Sequence, residues 1–340
     1  MEKEDDVMYR KVEMKILGVG GLGIEVIDGL MEDRYDDIDG LVALDTDEKH
    51  LDEIEAQEKV LLGHGNSAEG DLMVGEKLAE NYEDEVVKQV EGSDIVFLTG
   101  GMGRGTGTGA LPIVAEIAEE EGACVLAMVA LPYLSEGKEN MEKAKAGLKE
   151  LEKYCDAVNM IPNDRGPEFG SFLTVDTFFK RTDEVLVESI REVIDIIIQP
   201  GLVNIDYNDL RTIIEDGQIL MIGKGESDEG VEKAVEKAFS SSLIEDLSGS
   251  KGALVRVTGG EDMTVAEAEK AANMVNEKMG EDARIIWGCN VEEELGEKVR
   301  VYQVITDVHH DVEAFFSWFV EKRIDELRKE LKMWRGFLEE

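Results

Sequence analysis

Over the first 160 residues, short apolar runs alternate with stretches of helical period. VEMKILGVG (12–20), GLVALDT (40–46), DIVFLTG (94–100), CVLAMVALP (124–132) and AVNMIP (157–162) each have the length and composition of a buried strand. Between them lie segments with apolar residues every three to four positions, such as the one around Ile113 and Ile117. Strands alternating with helices predict a parallel sheet covered on both faces, the α/β class. Glycine or aspartate stands at the carboxyl end of nearly every strand, the end at which such sheets bind ligands.

A long helix is predicted next, with Val185, Leu186, Ile190, Val193, Ile194 and Ile197 on one face and Gln199-Pro200-Gly201 as its stop. The texture then changes. Shorter strands, ALVRVT (253–258), ARIIWGC (283–289) and VRVYQVIT (299–306), surround the amphipathic run MTVAEAEKAANMVNEKM (263–279). This reads as a second, α+β domain over 217–308, hung on the long helix. The final stretch, DVEAFFSWFVEKRIDELRKELKMWRGFLEE, reads as one amphipathic helix with Val320, Ile324, Leu327, Leu331, Trp334 and Leu338 at a/d-like spacing. Three uses remain open for it: packing back on its own domain, recruiting a partner or another copy, or lying on a membrane surface. His309-His310 at its start is too thin for a metal site.

Composition narrows the function classes. The chain has 340 residues, long enough for two domains with real cores, and 43% hydrophobic against 33% charged residues is the balance of a folded protein. Its 36 basic and 77 acidic residues give a formal charge of −41. Nucleic-acid binding is excluded on that ground, because phosphate attraction needs a basic surface. The acid excess suits either an acidic partner-facing surface or a solubilising surface for a salty cytoplasm; its even spread along the chain favours the second. No apolar run approaches the ~20 residues that span a bilayer, and the acidic N-terminus has no signal-peptide core, so a cytoplasmic location is expected. Cys124, Cys155 and Cys289 are isolated and read as small buried apolar residues in a reducing compartment.

Two glycine-rich loops carry the candidate chemistry. Gly18-Val19-Gly20-Gly21-Leu22-Gly23 follows a strand, opens a helix and precedes Asp45 at the end of the next strand. Alone, that is the dinucleotide fingerprint, with an acid placed for a ribose hydroxyl. The second loop, GGMGRGTGTG (100–109), also joins a strand to a helix. Its amides, the Thr106 and Thr108 hydroxyls and the helix N-terminus can all serve phosphate oxygens. An ordinary dinucleotide fold does not need this second cradle, and no GxxxxGK[ST] is present. Two such loops suit a mononucleotide with a long phosphate tail, gripped by backbone instead of lysine. After the long helix, GLVNIDYNDLRTI places Asn204, Asp206 and Asp209 at i, i+2 and i+5. Two carboxylates and an amide can position water for attack on a phosphoryl group; an Asp N-cap with solvated acids is the plain alternative, and spacing alone does not separate the two.

Together these residues resemble the tubulin/FtsZ family, specifically FtsZ, from about residue 12 to 308. The most specific matches are GMGRGTGTGALPIVAEIA, IPNDR (161–165) and PGLVNIDYNDLRTI (200–213), with SSSLIEDLSGSKGALVRVTGGEDMT and GEKVRVYQVIT supporting the second domain. The resemblance implies an N-terminal extension (1–11), a GTP-binding domain (12–182), a central helix (183–199), a catalytic loop with an activation domain (200–308) and the extra C-terminal helix (309–340). It implies GTP/GDP as ligand with Mg²⁺, head-to-tail polymerisation of the chain with itself in cell division, and hydrolysis completed when Asn204, Asp206 and Asp209 reach a neighbouring subunit's γ-phosphate. Carried over, Gly20, Gly21, Gly103, Gly105, Thr106, Gly107, Thr108 and Gly109 hold phosphates. Glu136 and Asn163 contact ribose or base, Phe179 packs on guanine, and Asp183 or Glu184 reads its edge. A division protein or membrane adaptor is expected to use the C-terminal helix. The alternative is a divergent homologue with weak GTPase that regulates or scaffolds other filaments or cell shape.

Departures from the family pattern gather around the nucleotide. Leu22 replaces a glycine, Ile24-Glu25 replaces an asparagine-containing pair, and GHGNSAE (63–69) stands where GAGANPE is typical. Asn140 stands where an arginine is usual, and Arg104 replaces the middle glycine of GGGTGTG. Three readings of Arg104 stay open: it supplies the charge missing at 140, it is merely tolerated and pairs with solvent or a surface acid, or it marks a weakened pocket.

Overall fold

The computed structural model describes residues 11–32, 38–65, 68, 70–163, 175–199, 201–215, 217–242, 247, 249–280, 282–306 and 311–339. Six parallel strands come first: β1 (Met14–Val19), β2 (Gly40–Asp45), β3 (Glu58–Leu61), β4 (Ile95–Gly101), β5 (Cys124–Leu131) and β6 (Ala157–Pro162). Among them run α1 (Gly20–Met31), α2 (Glu48–Glu53), α3 (Leu72–Asn81), α4 (Glu83–Val90), α5 (Gly105–Glu120) and α6 (Lys138–Leu151). The long α7 (Val175–Ile198) and short α8 (Tyr207–Ile214) lead to β7 (Ile219–Ser227), α9 (Val231–Ser241), β8 (Gly252–Gly259), α10 (Val265–Met279), β9 (Arg284–Val291), β10 (Val299–Thr306) and α11 (Val312–Glu339).

All ten strands form one sheet in the order β3-β2-β1-β4-β5-β6-β7-β10-β8-β9. It is parallel through β7, antiparallel at the β7–β10 and β10–β8 pairs, and parallel again between β8 and β9. The expected second α+β unit is therefore joined edge to edge with the first, through the register pairs Val158↔Ile219 and Asn159↔Leu220. β7 and α9 within that unit, and the edge strand β3, were not legible as separate runs in the sequence.

Period-two alternation feeds two cores. In β5, Val125, Ala127, Val129 and Leu131 enter one buried cluster with residues of α4, α5, α6, α9 and α10. Leu126, Met128 and Ala130 enter the other with α1, α7 and α8. Of the anticipated α7 face, Leu186, Ile190, Val193 and Ile194 are fully buried in this second cluster, Ile197 is almost so, and Val185 is half-buried against it. Cys124, Cys155 and Cys289 are buried and unpaired; burial pushes the Cys124 thiol up to about 12, so it behaves as an apolar group.

The C-terminal helix forms as expected and its first turns pack against α6. Val312, Phe315, Phe316 and Phe319 are buried, and Glu313 accepts from Lys145 at 2.9 Å and Lys149 at 2.6 Å. Those residues precede the a/d seam read from the sequence. Within that seam Val320 is half-buried and Ile324 exposed; the side chains of Leu327, Leu331, Trp334 and Leu338 lie outside the described residues.

Candidate active site

Val19 and Gly100 are register partners at the carboxyl ends of neighbouring strands β1 and β4. The two glycine loops therefore leave the sheet side by side and open α1 and α5, neither of which has a side-chain cap on its first amides. Uncapped N-termini point N–H groups and positive dipole ends into the space between them. The approach is close because Cβ atoms are absent. A methyl on Gly20, which holds φ +72°, would lie 2.9 Å from the Gly107 nitrogen. One on Gly105 would lie 3.0 Å from the Ala68 side chain and 3.0–3.1 Å from the Gly70 and Asp71 nitrogens. That contact brings Ala68, Gly70 and Asp71 against the same helix end.

Hydroxyls lock the three segments. Thr46, directly after β2, shares a 2.8 Å hydrogen bond with the Thr106 hydroxyl and accepts from the Ala68 N–H at 3.1 Å. The Thr108 hydroxyl is buried and accepts from the Gly103 N–H at 2.7 Å, so it holds the loop's own turn. Gly103, at φ +101°, packs on Pro132, and Arg104 follows in extended backbone (φ −118°) as the residue before α5. That conformation is open to any residue, which explains why a long side chain is accommodated in this glycine-rich loop. Its guanidinium, 78% exposed, donates to Glu136 Oε2 from Nη2 (3.1 Å) and Nε (3.3 Å). Asn140 Nδ2 donates to the same oxygen at 3.1 Å, while Glu136 Oε1 accepts from the Tyr133 N–H.

On the other side of α1, acids gather. Asp45 is buried, accepts from the Thr46 N–H at 2.7 Å and lies 3.4 Å from His50 Nδ1. It is thus turned into its own strand end, and burial raises its pKa. His50 Nε2 lies 3.1 Å from Glu25, and its ring edges against Gly21. Asp183 is raised to about 7, chiefly by burial and then by the charges of Glu25 and Glu184. Asn163 Oδ1 is buried without a hydrogen-bond partner in the chain. The side chain of Phe179 lies outside the described ones, as do residues Asp164 and Arg165 of IPNDR.

The remaining predicted group sits elsewhere. Asp206 caps α8, accepting from the Asn208 and Asp209 N–H groups, and Asp209 returns a bond to the Asp206 N–H at 2.9 Å. Asn204 accepts from the Gly201 N–H at 3.2 Å. Asp206 and Asp209 form a reciprocal cap, while Asn204, two residues before Asp206, turns its side chain to the Gly201 amide. Tyr207 next to them donates to the Asp94 carbonyl, at the start of β4. The second glycine loop leaves the far end of that seven-residue strand, a distance of roughly 20 Å at ~3.3 Å per residue. Within one chain the candidate phosphate cradle and the Asn204/Asp206/Asp209 turn lie at opposite ends of the sheet.

Sequence reasoning missed Thr46 and His50; the only signal was their place just past the β2 carboxyl end, where α/β sheets gather ligand groups.

The cradle suits a nucleoside polyphosphate: convergent amides for phosphates, glycines where a Cβ would fill the space, and an orphaned acceptor at Asn163 for a donor on the ligand. Among the described residues no group of three or more His, Cys, Asp or Glu is arranged to hold a metal ion.

Comparison with known proteins agrees. Residues 13–169 match the Tubulin/FtsZ family GTPase domain and residues 217–309 the FtsZ family C-terminal domain. The chain is 42% identical over 317 residues to Cell division protein FtsZ 1 of Archaeoglobus fulgidus, covering 90% of this chain and 86% of that one. It is 39% identical over 314 residues to its namesake in Halobacterium salinarum, covering 90% and 79%. Among solved structures, an empty FtsZ dimer from M. jannaschii superposes with a TM-score of 0.81 at 36% identity, covering 89% of this chain and 90% of that one. CetZ2 from Haloferax volcanii, at 21% identity and TM-score 0.78 over 93% and 100%, shares the fold. The chain belongs to the tubulin/FtsZ family, as a GTPase of its FtsZ branch.

Proposed function

We propose that this protein is a cytoplasmic division GTPase that assembles head to tail into filaments, each active site being completed by the next subunit. The observation that carries the reading is the ~20 Å separation, along β4, of the nucleotide cradle from the Asn204/Asp206/Asp209 turn. A loop at one end of a subunit meets a phosphate at the other end only in a second copy, stacked in the same orientation. That is a heterologous contact, which propagates into a filament.

Surface apolarity supports the same stacking. Among the described residues the exposed large hydrophobics are Met73, Val74, Leu202, Val203, Val265 and Ile324. Leu202 and Val203 flank the catalytic turn. Met73 and Val74 begin α3, whose Leu72 carbonyl lies so close to α5 that a Cβ on Gly109 would strike it, so they stand at the cradle end. Two apolar pairs at opposite ends suit burial against each other in a stack.

In the assembled site, the α1 and α5 amides with Gly20, Gly21, Gly103, Gly105, Thr106, Gly107 and Gly109 hold the phosphates, while Thr108 keeps the loop in shape. Glu136 and Asn163 serve ribose or base, Phe179 stacks on guanine, and Asp183, with Glu184 beside it, accepts from the adjacent N1–H and N2–H donors that distinguish guanine. The neighbour's Asp206 and Asp209 orient water, with Asn204 polarising it. Mg²⁺ bound with the nucleotide would supply charge neutralisation of the transferring phosphoryl group. Among the described residues no helix is long and apolar enough to cross a membrane, so filaments reach a division site through an adaptor, for which α11 is the candidate surface. The regulatory alternative is less favoured, since the chain stands near 40% identity to proteins named for cell division.

Mixing tests this reading. Asp209→Ala keeps the cradle and loses the loop; Gly20→Ala does the reverse. Each alone should turn over GTP at background rate. A one-to-one mixture should recover up to about a quarter of wild-type turnover, because a quarter of random contacts pair an intact cradle with an intact loop. No recovery, with both variants folded, would place the whole site in one chain.

A further inference from the structure

The Arg104–Glu136–Asn140 cluster has a role that ion pairing alone does not explain. Arg104 precedes the uncapped first turn of α5, one residue from the Gly105–Gly107 amides. Its guanidinium is mostly exposed, and both nitrogens that bond do so to a single oxygen, Glu136 Oε2. That oxygen has a second holder, because Asn140 donates to it, and the other Glu136 oxygen is fixed by the Tyr133 amide. Glu136 therefore stays in place whether or not Arg104 is on it. Asn140 and Tyr133 are neutral, however, so with Arg104 removed a carboxylate charge would face incoming phosphates unneutralised. Other acids lie near the cradle: Glu25 and the buried Asp45 on the half-buried His50, and Asp183 beside Glu25.

We propose that Arg104 is a specificity-determining residue for the triphosphate: its guanidinium rests on Glu136 and exchanges that carboxylate for the terminal phosphate when GTP, but not GDP, is bound. The inference rests on the nucleotide site proposed above. Exchange requires a tethered partner, an exposed flexible side chain and a stronger competing anion. The first two are present at 3.1–3.3 Å and 78% exposure. The third is the γ-phosphate, a dianion to which arginine binds with two N–H groups at once. GDP lacks that group, so with GDP the guanidinium stays on Glu136. The arrangement makes the GTP-to-GDP preference a property of one side chain at the mouth of the site.

The test is equilibrium binding of GTP and of GDP, each with Mg²⁺, to full-length wild type, Arg104→Ala, Arg104→Lys and Glu136→Gln. In Arg104→Ala the GTP-over-GDP preference should fall about tenfold, the scale of one charge-assisted contact. Arg104→Lys should restore part of it, as a point charge without the fork. Glu136→Gln, which removes the resting anion, should raise the preference, and should leave it unchanged when Arg104 is already alanine. Arg104 is exposed, so circular dichroism and thermal midpoint should match wild type. Equal loss of GTP and GDP affinity in Arg104→Ala, or no loss of either, overturns the proposal while leaving the nucleotide site intact. Failure of wild type to bind either nucleotide would instead overturn the site itself.

Discussion

Asp183 sits beside Glu25 and Glu184 in a half-buried position, and its carboxyl is lifted to about 7. In the proposed site the charged form is the one that would accept two N–H groups from guanine. Because the pKa of the free protein is raised, the proton must leave for the base to bind, and affinity falls as pH drops through 7. Guanine-nucleotide affinity measured at pH 8, 7 and 6 should decline toward a limit of about tenfold per unit below pH 7, and Asp183→Asn should bind weakly with no such slope. A flat profile for wild type would mean that Asp183 does not touch the base. At this scale the sequence was informative about backbone and poor about side-chain partners. Glycine patterns announced the cradle because φ above zero and missing Cβ atoms leave a compositional trace. The Thr46–Thr106 lock and the Glu136 tether join residues 60 and 32 positions apart, and nothing local encodes such pairings. Of the open readings for Arg104, the ion pair with an acid is present, but that acid belongs to the nucleotide rim.

Among the elements, α7 ends in an unusual way. Arg256 of β8, 2% exposed, donates from Nη1 to the carbonyls of Asp195, Ile196 and Gln199. A full cation thus caps the negative end of the helix dipole and fixes Gln199, five residues before Asn204. Arg256→Met should leave those carbonyls buried and unanswered. The expected loss is roughly 3 kcal/mol in urea unfolding, together with a fall in GTP turnover at unchanged nucleotide affinity if the turn that follows this helix end has the catalytic role proposed for it. Unchanged turnover would separate the helix end from the catalytic loop. Long, strongly periodic elements such as α7 and α10 were legible in advance. β7 was not, because Gly223 and Gly225 interrupt its apolar alternation; they are required there, since a Cβ on either would strike the α9 carbonyls of Ala238 and Ala234. β3 escaped because it is a four-residue edge strand with only Val60 buried.

For the whole molecule, charge opposes assembly. Subunits with a formal charge of −41 repel when stacked. Raising KCl from 0.1 to 1 M shortens the Debye length from ~10 to ~3 Å, so the protein concentration needed for GTP-dependent pelleting should fall severalfold. Weaker assembly in high salt would mean that ion pairs, and not the Leu202/Val203 and Met73/Val74 surfaces, dominate the contact. The parallel half of the sheet was legible from alternation of strand and helix. Its continuity into the second half was not, because strand pairing between residues 61 positions apart (Val158 with Ile219, Asn159 with Leu220) leaves no local pattern.

That continuity is narrow. β6 and β7 share two register pairs, against six between β5 and β6 and eight between β7 and β10. A sheet pinched in this way unfolds as two cooperative units sharing a weak boundary. In hydrogen exchange the amides of Ile219 and Leu220 should open at lower free energy than those of Leu126 and Met128 in β5, and calorimetric enthalpy should exceed the van't Hoff value. Coincidence of the two enthalpies would mean that α7 and the Arg256 clamp weld the halves into one melting block.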